Sequence, residues 1–191
     1  MPVISVTLLP GYSSEAESRL VQRVAVAARS VIAAAAAGTT VFVQHASTYQ
    51  RDGKVFSTGA AERADASALV RAFLDRMQAR DLPAAEQMLA PGFRMTFPGA
   101  APMQRLAQLV QWSRCRYRSV VKDYEGFDES WTVDGAVVYC FGMLRGTWLD
   151  GTAFDGIRFI DRFEISEGLI HRQDVWNDMA LHTMPAAPPA D

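Results

Sequence analysis

Cysteine is scarce in this chain, which has only Cys115 and Cys140 among its 191 residues. Two cysteines cannot form the disulfide framework of a small secreted domain, and they favour reduced thiols in the cytosol. An excess of basic residues is also missing, because 19 Lys and Arg are balanced by 21 Asp and Glu. The chain therefore has no electrostatic footprint for nucleic acid.

Long hydrophobic runs are missing as well. The longest of them, residues 31–37, is too short to cross a membrane. Charged residues precede it, so it is not typical of a signal peptide. We therefore predict a cytoplasmic protein with no membrane partner and no nucleic-acid partner. Neither a cofactor nor a metal ion is predicted.

What is present is an ordinary globular composition, with 49% hydrophobic and 21% charged residues. The length allows one large domain or two small ones. Residues 59–67 are small and charged without apolar periodicity, which indicates a linker. We predict an α+β protein of two domains, residues 1–58 and 68–182, with a flexible tail at 183–191.

The first sixty residues have the pattern of a β-α-β unit followed by a short hairpin. Residues 3–8 alternate like a strand with one covered face, and Pro10-Gly11 ends this strand. A helix is predicted from Ser14 towards Gly38, and strands at 40–45 and 54–56 follow. So few elements cannot bury a full core, so we expect this domain to assemble with copies of itself as a homo-oligomer.

Pro2 lies directly behind Met1, where removal of the methionine would leave a secondary amine. Packing such an amine among apolar side chains moves its pKa towards neutrality, where general bases work best. Alternatively, proline at position two only marks a processed N-terminus. Together with the glycine turn at Gly11, the helix and the second strand, Pro2 makes residues 2–56 resemble the tautomerase superfamily of the 4-oxalocrotonate tautomerase type. This resemblance implies a proline general base and a trimer or hexamer.

The chain departs from that family at two positions that hold substrate carboxylates. The family places arginines after the glycine turn and in the second strand, where this chain has Tyr12 and Phe42. Neither side chain can form the bidentate pair that a guanidinium makes with a carboxylate. We therefore predict a small neutral or monoanionic carbonyl substrate that contacts Phe42. Tyr12 either donates a hydrogen bond to an enolate oxygen or serves in packing.

Beyond the linker, the sequence predicts three helices and a strand-rich half. The helices are expected near residues 69–81, 82–89 and 103–116, with a short strand at 93–97. Four long strands follow, joined by turns that end in glycine. They are predicted at 117–127, 136–149, 154–165 and 169–176. We expect three helices against a curved antiparallel sheet, a cone that leaves a concave face.

Three segments of this half carry a second resemblance. They read ARDLPAA at 79–85, LAPGF at 89–93 and EGLIHRQDVW at 167–176. They resemble the SnoaL-like, or nuclear transport factor two-like, fold that is shared with ketosteroid isomerase and limonene epoxide hydrolase. The likeness covers about residues 66–181. It implies a pocket but no single reaction, because isomerases, cyclases and hydrolases all use this fold.

Asp161 is the one charged residue on a predicted apolar strand face, which it shares with Phe159 and Phe163. A buried carboxylate must be paired, protonated or functional. One interpretation is a structural pair with Arg172 on the final strand. The other is a cavity acid or base at Asp161 or at Asp174.

Two aromatic residues complete the predicted pocket. Tyr139 and Trp176 are predicted to line it, although aromatic residues on sheet faces are more often core. The leading hypothesis is therefore a keto-enol tautomerase or isomerase with Pro2 as its base and a second, SnoaL-like pocket. The alternative is a non-catalytic protein for small-ligand binding or assembly, with a degenerate tautomerase site.

Overall fold

A computed structural model describes residues 1–183 of the chain. It divides the chain into two compact units: the N-terminal unit is Met1–Arg63, and the C-terminal unit begins at Ala64. The predicted tail lies outside the described residues except for residue 183 itself. Within the described residues, no helix is both long and apolar enough to cross a membrane.

The N-terminal unit consists of two parallel strands, one long helix and a hairpin. Strand β1 is Val3–Leu8, helix α1 is Ser14–Val31 and strand β2 is Thr40–His45. β1 and β2 pair in parallel, with Val3 opposite Thr40. The hairpin consists of β3, Tyr49–Arg51, and β4, Lys54–Phe56.

Helix α1 is shorter than the sequence predicts. Its N-cap is Ser13, whose hydroxyl accepts a hydrogen bond from the Ala16 amide at 3.1 Å, so the capping residue is one position before the predicted one. The helix ends at Val31, and a separate 3-10 turn occupies Ala36–Gly38. The alanine run after Val31 therefore does not extend the helix to Gly38.

The segment predicted as a linker is bound to the N-terminal unit over part of its length. The Gly59 amide donates to the Pro10 carbonyl at 3.1 Å. The Glu62 carboxylate accepts hydrogen bonds from the backbone amide and the hydroxyl of Ser13, at the start of α1. Residues 57–65 nevertheless have no helix or strand of their own.

The C-terminal unit opens with helices whose ends follow from the sequence. Asp65 caps α2, Ala66–Gln78, and Asp81 caps α3, Leu82–Glu86, through side-chain hydrogen bonds to backbone amides. Helix α4, Leu106–Arg114, begins later than predicted, and a short α5, Met179–Thr183, ends the described chain. The late start of α4 has a clear cause, since the Met103 backbone instead bridges that of Met95 at 2.8 and 2.9 Å.

A five-stranded sheet forms the rest of the C-terminal unit. Its strands are β5 Leu89–Thr96, β6 Tyr117–Trp131, β7 Gly135–Trp148, β8 Ala153–Ser166 and β9 Leu169–Asn177. The order is β5-β9-β8-β7-β6, in which β6 to β9 are an antiparallel meander and β5 joins β9 in parallel. The α+β class and the curved sheet of the predicted cone are therefore confirmed.

The hydrophobic core lies between this sheet and the helices. It is formed by large apolar side chains from α2, α4 and the inner face of the sheet, including Val70, Phe73, Met95, Leu106, Ile157, Phe159 and Phe163. No comparable core exists at the start of the chain, because none of residues 1–63 is buried.

Candidate functional site

Asp161 lies in the middle of β8, on the inner face of the sheet. Its side chain is 0% exposed, and its strand neighbours Phe159 and Phe163 are buried on the same face. The prediction that this carboxylate lies inside the domain is confirmed. A carboxylate in such surroundings must find donors, since leaving a charge unpaired in an apolar interior costs several kcal/mol.

The donors are Lys122 of β6 and Gln173 of β9. Both bond the same carboxylate oxygen, Oδ2: Lys122 through Nζ, and Gln173 through Nε2 at 3.0 Å. The other oxygen, Asp161 Oδ1, has no hydrogen-bond partner among the described residues, and neither has Gln173 Oε1. The predicted pair of Asp161 with Arg172 is therefore wrong, and two unused acceptor atoms remain buried in its place.

An irregular register in β9 explains this error. Glu164 pairs with Arg172 but Ile165 pairs with Ile170, so one extra residue, His171, enters the strand there. Such a bulge moves the following side chains to the opposite face of the sheet. Ile170 and Gln173 consequently both point inward, whereas strict alternation from Ile170 would have turned Gln173 outward.

Asp174 lies on the outer face and is separate from the Asp161 cluster. It is buried by its partners rather than by the core: Arg172 Nε donates to it at 3.0 Å, and Arg162 Nη1 lies 3.5 Å from its Oδ2. Asp174 is thus a carboxylate held between two guanidinium groups. The prediction that it could serve as an acid or base in the same cavity as Asp161 is corrected by this placement.

Tyr139 and Trp176 also lie on the outer face. Tyr139 is opposite Arg162 and lies between the buried Val138 and Cys140, and Trp176 follows the buried Val175. Their side chains are 37% and 53% exposed. Neither therefore lines a pocket with Asp161, and the predicted lining by these two aromatic residues is wrong.

The inner face borders a cavity of about 340 Å³. Its wall combines apolar and aromatic side chains with Arg80 and with polar groups from α2, α4, β6 and β9, as in small-molecule sites. Lys122 and Gln173, the two partners of Asp161, belong to this wall, and so do Tyr117 and Ser113. Asp161 itself is not part of the wall and lies directly behind Lys122 and Gln173.

Gly142 of β7 allows β6 side chains to reach this cluster. It stands in register between Tyr124 of β6 and Phe159 of β8, and its φ of +155° is one that other residues rarely adopt. An added Cβ would lie 2.1 Å from the Asp123 carbonyl oxygen. With no side chain in between, the Tyr124 ring packs edge-on against Phe159, and the Lys122 ammonium lies 4.6 Å from the centre of the same ring.

The tyrosines of the cavity are hydrogen-bond donors at neutral pH. Burial raises the pKa of both Tyr117 and Tyr124 above the usual value, and the nearby Asp161 carboxylate acts in the same direction. The cavity therefore offers an ammonium and neutral phenols on its wall, with a carboxylate behind them.

Cys140 adjoins Asp161 on the neighbouring strand and is an inert thiol. Burial, followed by the Asp161 charge, raises the pKa of Cys140 to about 12.

The other cysteine, Cys115, is exposed. We expect a maleimide at about pH 8 to label Cys115 but not Cys140, because the thiolate is the reactive form. Peptide mass spectrometry would test this, with guanidinium-unfolded protein as the control in which both react. Labelling of Cys140 in the native protein would contradict the result.

The tautomerase candidates lie apart in the N-terminal unit. Pro2 is half-buried at the start of β1, and its carbonyl accepts from the Thr40 amide at 3.1 Å. Tyr12 lies beyond the other end of β1, a strand of about 20 Å at roughly 3.3 Å per residue. Within one chain Tyr12 therefore cannot reach an enolate at Pro2, which corrects that pairing. Phe42 is 52% exposed on β2.

Two neighbours of α1 complete the description of this unit. Tyr12 lines a cavity of about 350 Å³ together with Leu8 and Leu20. His45 Nε2 lies 2.6 Å from the Glu17 carboxylate, which joins β2 to α1. Among the described residues no group of three or more His, Cys, Asp or Glu side chains is arranged to hold a metal ion.

Comparison with known proteins places the C-terminal unit in a family. The model of the SnoaL-like domain family matches residues 70–173. An NTF2-like protein of unknown function from Burkholderia pseudomallei is 19% identical, with a TM-score of 0.53 over 61% of this chain and 92% of that one. An NTF2-like protein from Burkholderia thailandensis is 18% identical, with a TM-score of 0.51 over 62% and 96%.

A putative polyketide cyclase from Pseudomonas putida is 16% identical, with a TM-score of 0.47 over 62% of this chain and 95% of that one. At such identities these likenesses concern the fold alone. No curated protein matches the chain. The family model begins at residue 70, so the tautomerase resemblance of residues 2–56 gains no support from it.

Proposed function

Because the chain belongs to the SnoaL-like domain family, we propose that its C-terminal unit binds a small carbonyl compound and isomerises it by moving a proton. The observation that carries this proposal is the Asp161 cluster. A fully buried carboxylate with one oxygen unused lies directly behind an ammonium that faces the cavity. A buried carboxylate oxygen without a partner calls for an explanation, and a catalytic role is one that accounts for it.

In the proposed reaction Lys122 and Asp161 have different roles. The Lys122 ammonium donates a hydrogen bond to the carbonyl oxygen, and Asp161 Oδ1 takes a proton from the adjacent carbon. The electrons of the broken C–H bond form a C=C bond, and the carbonyl π electrons move to the oxygen, where Lys122 stabilises the enolate. Asp161 then returns the proton to a different atom of the enolate, which completes the isomerisation.

Access to Asp161 requires a movement of Lys122. The Lys122 side chain is 22% exposed and has a flexible four-carbon stem. It can therefore rotate away from Asp161 towards the cavity, where its ammonium binds the ligand oxygen. Tyr117 on the cavity wall supplies a second donor, because its raised pKa keeps the phenol protonated.

A steric block of the cavity tests this proposal. Leu109→Trp enlarges a side chain of the α4 wall, so we expect it to abolish ketonisation of the enol of phenylpyruvate by the full-length protein. Leu149→Trp, at an exposed position outside the cavity wall, is the matched control and should retain the wild-type rate. Equal rates in Leu109→Trp and wild type would place the reaction elsewhere.

A second candidate function is the Pro2 tautomerase, with the C-terminal pocket as an accessory. The observation that favours it is the β-α-β unit, in which β1 and β2 pair in parallel and α1 connects them. Pro2 is half-buried at the start of β1. The distance from Pro2 to Tyr12 and the exposure of Phe42 weigh against a complete site in one chain. If neither site catalyses, the remaining function is ligand binding or assembly without chemistry.

We expect the protein to be a homo-oligomer assembled through the N-terminal unit. None of residues 1–63 is buried, and apolar side chains such as Val3, Val31 and Val55 are 63%, 86% and 71% exposed. A β-α-β unit of this size needs a second surface to cover its apolar face. Sedimentation velocity at micromolar concentration should give a multiple of the chain mass of 21.0 kDa. A stable monomer would contradict the expectation.

A further inference from the structure

The cavity wall of the C-terminal unit has charge of one sign only. Its charged side chains are Arg80, Arg118 and Lys122, and no Asp or Glu belongs to the wall. Arg80 and Arg118 are exposed to solvent, whereas the Lys122 side chain is 22% exposed. A cation of this wall that no carboxylate of the protein pairs is available to bind a negative group of the ligand.

Of the three cations, Lys122 is paired with a carboxylate and Arg118 extends away towards a turn. The Lys122 ammonium is bonded to the buried Asp161 carboxylate, so this pair adds no net charge to the site. The Arg118 guanidinium extends towards the turn between β7 and β8, where its Nη1 would lie 3.4 Å from a Cβ built at Gly151. Arg80 is the remaining cation.

Arg80 forms no salt bridge with any residue that the structure describes. The adjacent carboxylate is engaged elsewhere, since Asp81 caps α3 and lies 3.6 Å from Arg76. Arg80 also has a φ of +61°, just past the C-terminus of α2, where glycine is the usual residue. This conformation closes the end of α2, where the Asp81 amide donates to the Arg76 carbonyl at 2.9 Å.

Arg80 and Tyr117 both belong to the cavity wall. Burial raises the pKa of Tyr117, and the positive charge of Arg80 opposes that rise. Arg80 and Tyr117 together offer donors at one part of the wall. Lys122 offers a donor at another, beside the buried carboxylate.

We infer that the ligand of this cavity is an organic monoanion with an apolar body, and that Arg80 binds its negative group. The inference rests on the proposed function and specifies its substrate class. The carboxylate of the ligand bonds Arg80 and Tyr117, its aromatic or aliphatic body packs on Phe73 and Leu109, and its carbonyl oxygen reaches Lys122. Such a ligand supplies the charge that the wall lacks.

Isothermal titration of the full-length protein with a matched pair of ligands tests this inference. The pair is benzoylpropionate, which carries an aryl ketone and a separate carboxylate, and its neutral primary amide. We expect wild type to bind the acid at least about tenfold more tightly than the amide, since a charge-assisted hydrogen bond is lost with the amide. Arg80→Gly should abolish this preference while the melting temperature stays the same or rises, because glycine suits the positive φ.

Arg118→Gln is the matched control, since it removes a guanidinium from the same wall that extends towards the turn. It should keep the preference for the acid. Equal binding of acid and amide by wild type, or an equal loss in Arg80→Gly and Arg118→Gln, would overturn the inference and leave the proposed cavity function standing. If neither ligand bound wild type, the proposed function would fall together with the inference.

Discussion

Asp161→Asn is expected to lower the isomerisation rate of the full-length protein by about 10²–10⁴-fold, the usual contribution of a positioned general base. Asparagine keeps the size of the side chain and still accepts a hydrogen bond from Gln173, but it has no basic oxygen. Lys122 is partly exposed and can turn towards solvent, so the variant should fold. Phenylpyruvate ketonisation, followed by ultraviolet absorbance, measures the change.

Asp174→Asn is the matched control for that experiment. Asp174 is also a buried aspartate, two residues from its Arg172 partner on β9, but it lies on the outer face of the sheet. We expect Asp174→Asn to lower stability, because Arg162 and Arg172 lose their shared carboxylate, and to leave the rate unchanged. Similar losses of rate in the two variants would indicate a general effect on the fold rather than a base at Asp161.

Lys122→Met is expected to lower the free energy of unfolding by about 3 kcal/mol, at the lower end of the range for removing one partner of a buried ion pair. The reason is that Asp161, 0% exposed, would keep only Gln173 as a donor. The lower end applies because Lys122 itself is 22% exposed. Urea unfolding followed by circular dichroism measures the loss.

A double variant separates the charge from the packing of Lys122. Combining Lys122→Met with Asp161→Asn removes both charges and leaves side chains of similar size, so we expect most of the lost stability to return. If the double variant were less stable than Lys122→Met alone, the two groups would not act as a pair. The ion pair would then not explain the stability of this part of the sheet.

Local sequence patterns predicted helices α2 to α4 and the four long strands of the C-terminal unit, but not helix α5. Alternation in β8 correctly placed Asp161 inside, because Ile157, Phe159 and Phe163 needed the same covered face. The four long strands and their glycine turns are found close to the predicted bounds. Helix α3 begins at Leu82 after its cap at Asp81, as predicted, whereas α2 begins at Ala66, three residues before its predicted start.

The partners of Asp161 could not be predicted in the same way. Gln173 faces inward because of the extra residue in β9, and no residue pattern marks that bulge. Lys122 could have been found from the alternation of Val120, Lys122 and Tyr124 on β6, but its reach across β7 depends on Gly142 and on the register. Alternation alone therefore identified the buried carboxylate and missed the side chains that bind it.

Errors at Tyr139 and Trp176 have a related origin. Trp176 was assigned to the pocket because strict alternation put it on one face with Ile170 and Asp174, and Tyr139 was assigned with it. Each of the two aromatic residues is a direct neighbour of buried residues on its strand. Period-two alternation from Val138 and Cys140 would have placed Tyr139 outside. The error at Pro2 and Tyr12 has a different cause. The two residues lie at opposite ends of β1, so the length of this strand keeps them apart within one chain. Whether they meet between two copies of the chain depends on the oligomer, which one sequence does not specify.

Incorporation of solvent deuterium next to the carbonyl of phenylpyruvate tests the central claim most directly. The exchange rate would be measured by proton NMR for wild type, Asp161→Asn and Pro2→Ala, all as full-length protein. We predict that Asp161→Asn loses exchange by about 10²-fold or more, while Pro2→Ala exchanges at the wild-type rate. Loss of exchange in Pro2→Ala, with full exchange in Asp161→Asn, would contradict a catalytic site in the SnoaL-like cavity and assign the reaction to the N-terminal unit.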